Sequence, residues 1–562
     1  MPEAVLIFTF GPVQGFISEA RRTSDLFVGS SILVRLAQAT GKKLNEEGKL
    51  IYPAVLEDDI PNFLVARLPS ERVEETAKRA TQALLDEWKR IAQSARTRLS
   101  GFQPTPDQLW DEIWDRQAGS FWEVYWAASS AEGHKVPYKQ ARDALDATKR
   151  TRAFQPAEED GLKDSLSGCR SALRSQGMDA RAYWTRISQN PGITAAKLRP
   201  DGRERLDAIG AIKRFSDVAE QRDFPSTSTV ASRPFLEKAC GLLADYRKAV
   251  KDLLGQHLHK TQQDKEWPYD GDLLFAETLK PRRLEASYGL QNPDPEALKA
   301  ASEELRKLYK RVGSEPSPYY SVIVLDGDDM GKRFSQRLDE TAHRELSGKL
   351  AEFATKAKDT IGRHSGSPVY SGGDDVLALA PLSTAFELAQ DLTRSFDTTT
   401  EGTASAGLAI VHHLYPLGAA LRAARAAERQ AKQLESKAAA CVRVIRRSGE
   451  AVEMRSAWSP IGDTFAMIVG LFQEDGTGAP LSSRLAYDVR QAAYALPKAD
   501  AKSKAELKRL IRRHRNDKHP RAPDPESLAA RLHEWATGLP CGMEELGRWL
   551  LFARFVAQGG SE

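Results

Sequence analysis

Residues 368–379 read Pro-Val-Tyr-Ser-Gly-Gly-Asp-Asp-Val-Leu-Ala-Leu, with two glycines and two carboxylates between two short apolar runs. Such a pattern is typical of a β-hairpin, so we predict that Asp374 and Asp375 lie at an acidic hairpin tip. A tip of this kind can hold Mg²⁺ while backbone N–H groups approach a triphosphate. We therefore predict nucleotide contacts at Ser371, Gly372 and Gly373.

A second acidic cluster, Asp-Gly-Asp-Asp at residues 326–329, directly follows the apolar run Val-Ile-Val-Leu. A buried strand that ends in carboxylates and is followed by a Gly-Gly-Asp-Asp hairpin is the layout of a polymerase or nucleotide-cyclase palm. We predict that Asp326, Asp374 and Asp375 form the catalytic and metal-binding set for Mg²⁺ or Mn²⁺, with Gly327 at the nucleotide. The alternative is that Gly-Gly-Asp-Asp is only a polar turn.

A helix is predicted after Pro416, and four of its cations share one face because they lie three or four residues apart. These cations are Arg422, Arg425, Arg429 and Lys432. We assign Lys432 to a phosphate of the nucleotide. The arginines fit either a triphosphate contact or a solvated face partnered by Glu428 and Glu435.

Length and composition limit the classes of protein. The chain has 562 residues, enough for about three or four domains. The net charge of +4 means that any nucleic-acid contact must come from local patches. Four cysteines far apart in sequence argue against a disulfide framework and favour the cytoplasm. No apolar run is long enough for a transmembrane helix, and no signal peptide is evident.

Strand-like and helix-like segments alternate in two parts of the chain and predict an α+β fold. We expect a first ferredoxin-like domain over residues 1–145 and a small, mostly helical middle domain over 146–315. A second ferredoxin-like domain with the acidic hairpin is expected over 316–450, since its strands and helices follow a β-α-β-β-α-β order. Residues 451–562 are expected to be helical.

Several longer blocks carry a family resemblance. Residues 10–26 read FGPVQGFISEARRTSDL, and later blocks include FPSTSTVA at 224–231, LDGDDMGK at 325–332, YSGGDDV at 370–376 and SAGLAIVH at 405–412. In this order they resemble the large subunit of type III-B CRISPR effector (Cmr) complexes, a member of the CRISPR polymerase-cyclase family. The similarity runs from residue 5 to about 450.

The resemblance implies two palm domains, a small intervening domain and a helical C-terminal domain. It implies conversion of ATP into cyclic oligoadenylate, switched on when the complex captures target RNA. The partners implied are crRNA, target RNA and other Cmr subunits, with no membrane. By motif match, the resemblance assigns the metal-binding role to Asp326, Asp374 and Asp375. It implies one catalytic centre, because residues 1–145 contain no Gly-Gly-Asp-Asp.

The chain departs from the family pattern in two places. It contains no His-Asp dipeptide and starts at the first palm, so we expect the form without the N-terminal nuclease domain. Relatives often carry a Cys-x-x-Cys zinc site in the middle domain. Here Asp164 and Ser167 stand where cysteines are expected, near Cys169, so structural zinc is doubtful.

Two other functions stay open. One is a non-catalytic scaffold that recognises the crRNA tag end and target RNA. The other is a diguanylate cyclase, although Asp375-Val376 stands where that family has Glu-Phe. A basic run over residues 502–521 in the C-terminal region fits RNA phosphates, an acidic neighbouring subunit or a solvated face equally well.

Overall fold

The computed structural model describes residues 2–56, 60–102, 106–151, 159–194, 197–199, 201–220, 224–337, 339–435, 437–447 and 451–560. The strands within these residues build two sheets, one of four strands and one of six. They are β1 (Glu3–Gly11), β2 (Lys49–Tyr52), β3 (Phe63–Pro69), β4 (Glu123–Ser129), β5 (Tyr319–Gly327), β6 (Ser367–Gly372), β7 (Asp375–Pro381), β8 (Ala404–His412), β9 (Ala439–Ile445) and β10 (Val452–Ala457).

Helices surround both sheets and fill the middle and C-terminal regions. They are α1 (Val13–Ser18), α2 (Thr23–Glu47), α3 (Val73–Ser100), α4 (Gln108–Gly119), α5 (Lys135–Arg150), α6 (Ala180–Ser188), α7 (Ala208–Phe215), α8 (Asp217–Glu220), α9 (Thr227–Lys238), α10 (Ala244–Leu254), α11 (Pro281–Tyr288), α12 (Pro295–Val312), α13 (Met330–Ser335), α14 (Glu340–Arg363), α15 (Ala385–Thr400), α16 (Leu417–Ala431), α17 (Trp458–Ile461), α18 (Thr464–Phe472), α19 (Arg484–Ala495), α20 (Ala501–His514), α21 (Pro525–Thr537) and α22 (Met543–Ala557). None of the helices in the described part of the chain combines the length and apolar character needed to span a bilayer.

The two sheets share one topology. The first sheet has the strand order β2-β3-β1-β4, and the second sheet contains the order β8-β5-β7-β6. In the first sheet β1 lies between β3 and β4. In the second sheet β5, the first strand of its unit, likewise lies between the third strand, β7, and the fourth, β8. This antiparallel arrangement is that of a ferredoxin-like fold. The second sheet continues through β9 and β10, and β8 pairs with β9 in parallel. The predicted α+β class with two ferredoxin-like units is confirmed.

Burial explains why these segments form central strands. All nine residues of β8 are buried, as are residues 4–10 of β1. Side chains alternate across β1, so Val5 and Ile7 join the core that also contains Ile323 of β5, while Leu6 and Phe8 face α2 and α3. The first sheet therefore packs on both sides, and one of its faces contributes to the same core as the second sheet.

Three short strands were not expected from the sequence. β2 and β3 complete the first sheet, and β10 adds Val452–Ala457 to the second sheet, beyond the expected boundary at residue 450. In the middle region α9 and α10 are separate helices, and Gly241 adopts a positive φ of 76° between them. The C-terminal helices pack against α15, where the rings of Phe386 and Phe465 lie 4.4 Å apart.

Candidate functional site

The acidic hairpin lies at one end of the second sheet, beside the end of β5. Asp326 of β5 is the direct antiparallel partner of Asp375 of β7, and the Gly327 N–H donates to the Asp374 carbonyl at 3.2 Å. Directly opposed residues of an antiparallel pair lie about 5 Å apart and point to the same face of the sheet. The backbone therefore brings Asp326 and Asp375 together, although they are 49 positions apart in the chain.

Asp374 has a different environment from Asp375. Its nearest charged groups include Asp375 and Arg142 of α5, and its Cβ approaches Gly327 on the side where Phe396 packs. For Asp375, the nearby charge is instead that of Arg425 on α16. The two adjacent carboxylates thus belong to opposite sides of the sheet edge, and the predicted set of three is divided into a pair and a single residue.

Glycines shape the turn and its neighbour. Gly372 pairs with Asp375, which leaves Gly373 and Asp374 as a two-residue hairpin turn. Gly373 has a φ of +66°, the left-handed region that favours glycine at the first central position of such a turn. At Gly327, a Cβ would lie 2.9 Å from the Cβ of Asp374, so only glycine allows β5 to approach the turn this closely.

Ser371 is placed differently from our expectation. Its side chain is buried, and its hydroxyl donates to the carbonyl oxygen of Ala354 in α14 at 3.1 Å. Because this hydroxyl faces the core, we do not carry the Ser371 side chain into the nucleotide site.

Helix α16 lines the face that carries Asp326 and Asp375. The Lys432 ammonium contacts the Asp326 carboxylate and lies 3.3 Å from the Glu428 carboxylate. Arg425 also faces the site, where it donates to the Gln14 carbonyl at 3.1 Å. Arg422 and Arg429 are exposed. Helix α16 therefore supplies Arg425 to the site, and the residue that follows the helix supplies Lys432.

The other carboxylates of the 326–329 cluster have structural contacts. Asp328 is buried and accepts hydrogen bonds from the hydroxyls of Thr403 and Ser405, both at 2.9 Å, and from the Ala438 N–H at 3.0 Å. Asp329 forms ion pairs with Lys332 and Lys437. Asp326 is thus the member of this cluster that is directed to the site.

Negative charge exceeds positive charge around the hairpin. Enclosure by protein raises the pKa of Asp374, and the charge of Asp375 raises it further. Enclosure also raises the pKa of Asp375, and solvent screening weakens this effect because the residue is exposed. Burial, followed by the charge of Asp375, raises the pKa of Glu428 to about 7. Burial lowers the pKa of Lys432 to about 8, with a smaller contribution from Lys437.

A divalent cation would relieve this excess charge, and the residues present fit it in part. Mg²⁺ commonly takes one or two carboxylates and completes its shell with phosphate oxygens and water. Asp326 and Asp375 can supply two carboxylates on one face. Across the described residues, however, no group of three or more His, Cys, Asp or Glu side chains is arranged to hold a metal ion. The Lys432 contact also occupies Asp326.

Sequence reasoning missed two residues beside the hairpin, Tyr52 and Arg142. Tyr52 ends β2 in the first sheet and is buried, and a Cβ on Gly373 would lie 2.6 Å from its hydroxyl. Burial, followed by the charge of Asp374, raises the pKa of Tyr52. No local pattern marks either residue, because each reaches the hairpin only through the packing of the two sheets. Glu428 was noted only as a partner for arginines, although its position four residues before Lys432 already indicated contact.

The stretch proposed as a degenerate zinc site is stabilised by hydrogen bonds. One carboxylate oxygen of Asp164 accepts from the backbone N–H groups of Leu166 and Ser167, both at 2.7 Å. Cys169 is exposed. The Ser167 hydroxyl donates to Asp164 and accepts from the Cys169 N–H, so Asp164 and Ser167 close this turn together.

Two segments of the chain match models of known protein families. Residues 319–441 match the second palm domain of Cas10/Cmr2, and residues 5–93 match the N-terminal region of the CRISPR-associated protein Cmr2. The CRISPR system Cmr subunit Cmr2 of Pyrococcus furiosus is 30% identical over 213 residues. That match covers 32% of this chain and 24% of the relative.

Two solved structures of type III-B Cmr-beta are similar in fold. The apo state has a TM-score of 0.68 at 12% identity, covering 100% of this chain and 82% of the other. The state bound to cognate target RNA has a TM-score of 0.65 at 12% identity, and the match covers 100% of this chain and 83% of the other. The fold and the matched segment of 319–441 show a palm domain similar to the second palm of Cas10/Cmr2 proteins. The N-terminal segment is similar to that of Cmr2, and the two matches together confirm the resemblance expected from the sequence.

Proposed function

We propose that this chain is the large subunit of a type III-B CRISPR effector complex and joins ATP molecules into cyclic oligoadenylate when the complex captures target RNA. The observation that carries the proposal is the cross-strand pairing of Asp326 with Asp375 on the face lined by Lys432. Two carboxylates and an ammonium group on one face fit a nucleotide triphosphate with its divalent cation.

Each residue has a separate part in this proposal. Asp326 and Asp375 would hold Mg²⁺ or Mn²⁺, which would stabilise the charge that develops as a hydroxyl attacks the α-phosphate and pyrophosphate leaves. Lys432 would leave Asp326 for a phosphate oxygen of ATP, since its ammonium is shared with Glu428 and can move. The glycine turn would let backbone groups approach the nucleotide. Asp374, which faces Arg142, would position the turn or a second cation.

The partners are proposed on the same basis. A structure of Cmr-beta with cognate target RNA has the fold of this chain over its whole length, which supports RNA as a partner here. We propose that crRNA, target RNA and other Cmr subunits assemble with this chain in the cytoplasm. RNA capture would then control access of ATP to the hairpin.

A second function has two observations in its favour. The Lys432–Asp326 contact and the absence of a group of three carboxylates among the described residues are what a non-catalytic RNA-binding scaffold would have. Catalysis and scaffolding differ in whether the hairpin carboxylates are needed for a product.

Mass spectrometry of the products of the reconstituted complex tests the proposal. With ATP, Mg²⁺ and target RNA, the wild-type complex is expected to make an oligoadenylate, and the Asp374→Ala/Asp375→Ala variant is expected to make none while binding RNA normally. A matched control is Asp359→Ala/Glu387→Ala, which removes two exposed carboxylates from α14 and α15. Synthesis by the hairpin variant would exclude this site, and no synthesis by the wild type would favour the scaffold.

A further inference from the structure

Positive charge is concentrated in one part of the C-terminal region. Residues 484–515, which comprise α19, α20 and their connection, contain ten Lys and Arg but only three Asp and Glu. Their net charge of +7 exceeds the +4 of the whole chain, so the remainder of the protein is net negative. A basic region on an otherwise acidic molecule is an electrostatic docking surface for a polyanion.

The three acidic residues of this segment are already engaged. Asp488 lies 2.7 Å from the His514 ring, Asp500 caps α20 through the Lys502 and Ser503 N–H groups, and Glu506 pairs with Arg509 at 2.7 Å. Several cations remain without such a partner. Lys502, Arg512 and Arg513 are exposed and form no ion pair with any residue that the structure describes.

Aromatic side chains accompany this charge. Tyr494 is 77% exposed, and Tyr487 is 45% exposed with the Arg554 guanidinium 5.1 Å from its ring centroid, which leaves one face of this ring for a base; both lie on α19. They are seven positions apart, two helical turns, and so share a face opposite the buried Leu485 and Val489. Few large hydrophobic side chains in the described part of the chain are exposed, and Tyr487 and Tyr494 are the aromatic ones among them.

Two kinds of partner could use cations together with exposed tyrosines. Protein interfaces favour tyrosine and arginine but are depleted in lysine, and their centres are depleted in charge. Single-stranded nucleic acid needs cations along its backbone and aromatic rings on which bases stack. The charge density and the separation of the tyrosines along the helix favour the second partner.

We propose that the outward surface of α19 and α20 binds single-stranded nucleic acid. Lys502, Arg512 and Arg513 contact phosphates, and Tyr487 and Tyr494 stack with bases. The surface lies outside both segments matched to Cmr2 and Cas10 families, residues 5–93 and 319–441. The proposal is independent of cyclic oligoadenylate synthesis, because binding is measured without ATP.

Fluorescence anisotropy with the full chain tests the charged part of the surface. The probes are end-labelled oligouridylate and oligothymidylate of equal length, titrated at several salt concentrations. The variant Lys502→Glu/Arg512→Glu/Arg513→Glu is expected to bind at least tenfold more weakly, with a salt dependence reduced by about 2 logarithmic units per decade of salt. The matched control, Lys299→Glu/Arg306→Glu/Lys310→Glu, reverses three exposed cations of α12 and should bind within about twofold of the wild type.

Replacing the aromatic rings tests the stacking. Tyr487→Ala/Tyr494→Ala is expected to lower affinity roughly tenfold or more, and Tyr487→Phe/Tyr494→Phe should keep most of it. Circular dichroism checks that each variant is folded. A stronger effect on one probe identifies RNA or DNA as the preferred strand.

Three results would overturn the proposal. The first is no measurable binding by the wild type, and the second is equal binding by the α20 variant and the α12 control. The third is unchanged binding by the tyrosine-to-alanine variant together with equal displacement of the probe by oligoglutamate of the same charge. That last result would assign the surface to an acidic protein.

Discussion

Gly373 and Tyr52 meet at the tip of the acidic hairpin, although they belong to different sheets. Gly373 has a positive φ, and its Cα faces the Tyr52 hydroxyl so closely that a Cβ would lie 2.6 Å from the oxygen. Two separate penalties therefore oppose a side chain here, one from backbone conformation and one from crowding. Because only the crowding involves the hydroxyl, the two penalties can be separated.

Gly373→Ala is expected to lower the free energy of unfolding by about 2 kcal/mol. The same substitution in a Tyr52→Phe background should cost less, since the hydroxyl that crowds the new Cβ is gone. Denaturant unfolding of the four proteins of this double-mutant cycle measures the difference. Equal costs in both backgrounds would show that Tyr52 does not contact the turn.

Asp374 and Asp375 also make the stability of the protein depend on pH. Their pKa values are raised in the folded state, so the ionised carboxylates oppose folding at high pH. This cost disappears as the pH falls through the folded-state pKa values and protons bind.

Asp374→Asn/Asp375→Asn should therefore be more stable than the wild type at pH 8, by less than about 1 kcal/mol after solvent screening. The advantage should shrink towards pH 5, where the wild-type carboxylates bind protons. Thermal unfolding in metal-free buffer at both values measures the difference. An advantage that grows as the pH falls would contradict the raised pKa values.

At the level of elements, the close packing of α16 on β8 positions Lys432 and Glu428. A Cβ on Gly407 of β8 would lie 2.1 Å from the Glu428 nitrogen and 2.3 Å from the Ala424 carbonyl oxygen. The helix can lie this close to the sheet only because residue 407 has no side chain. The position of the ammonium beside Asp326 thus depends on a glycine one strand away.

Gly407→Ala is expected to push α16 outward and to destabilise the protein by about 1–3 kcal/mol, because the backbone cannot yield as a side chain would. Synthesis of oligoadenylate should fall with it. Gly348→Ala on α14 is the matched control, since a Cβ there meets no atom within 4 Å and alanine favours a helix. The measurement is the free energy of unfolding of both variants. Equal values for Gly407→Ala and Gly348→Ala would contradict the close packing of α16 on β8.

Most strands of the second sheet were predictable, whereas β2 and β3 of the first sheet and β10 of the second were not. β5 and β8 are long apolar runs bounded by polar residues, and the hairpin carries its own turn signal. β2 has four residues and follows α2 after a single glycine, so no pattern of its own distinguishes it. β10 contains Glu453 and Arg455, and its strand form depends on pairing with β9, where Glu453 lies opposite Arg443.

In the whole molecule, the candidate site is completed by contacts between the two ferredoxin-like units. Beyond Tyr52, His134 Nε2 lies 2.9 Å from His343 Nδ1, and the Ala54 N–H donates to the Ser347 hydroxyl at 2.7 Å. The carboxylates were predictable because local motifs carry them. The side of the sheet edge to which each carboxylate points, and the residues of the first unit that face them, depend on packing between distant parts of the chain.

The central claim is that Asp326 and Asp375 share one divalent cation beside a nucleotide. Anomalous diffraction from crystals grown with Mn²⁺ and a non-hydrolysable ATP analogue measures it directly. We predict a manganese peak about 2.1 Å from a carboxylate oxygen of each residue, with the Lys432 ammonium moved from Asp326 to a phosphate. A nucleotide bound with Lys432 still on Asp326 and no peak at this pair would contradict the account.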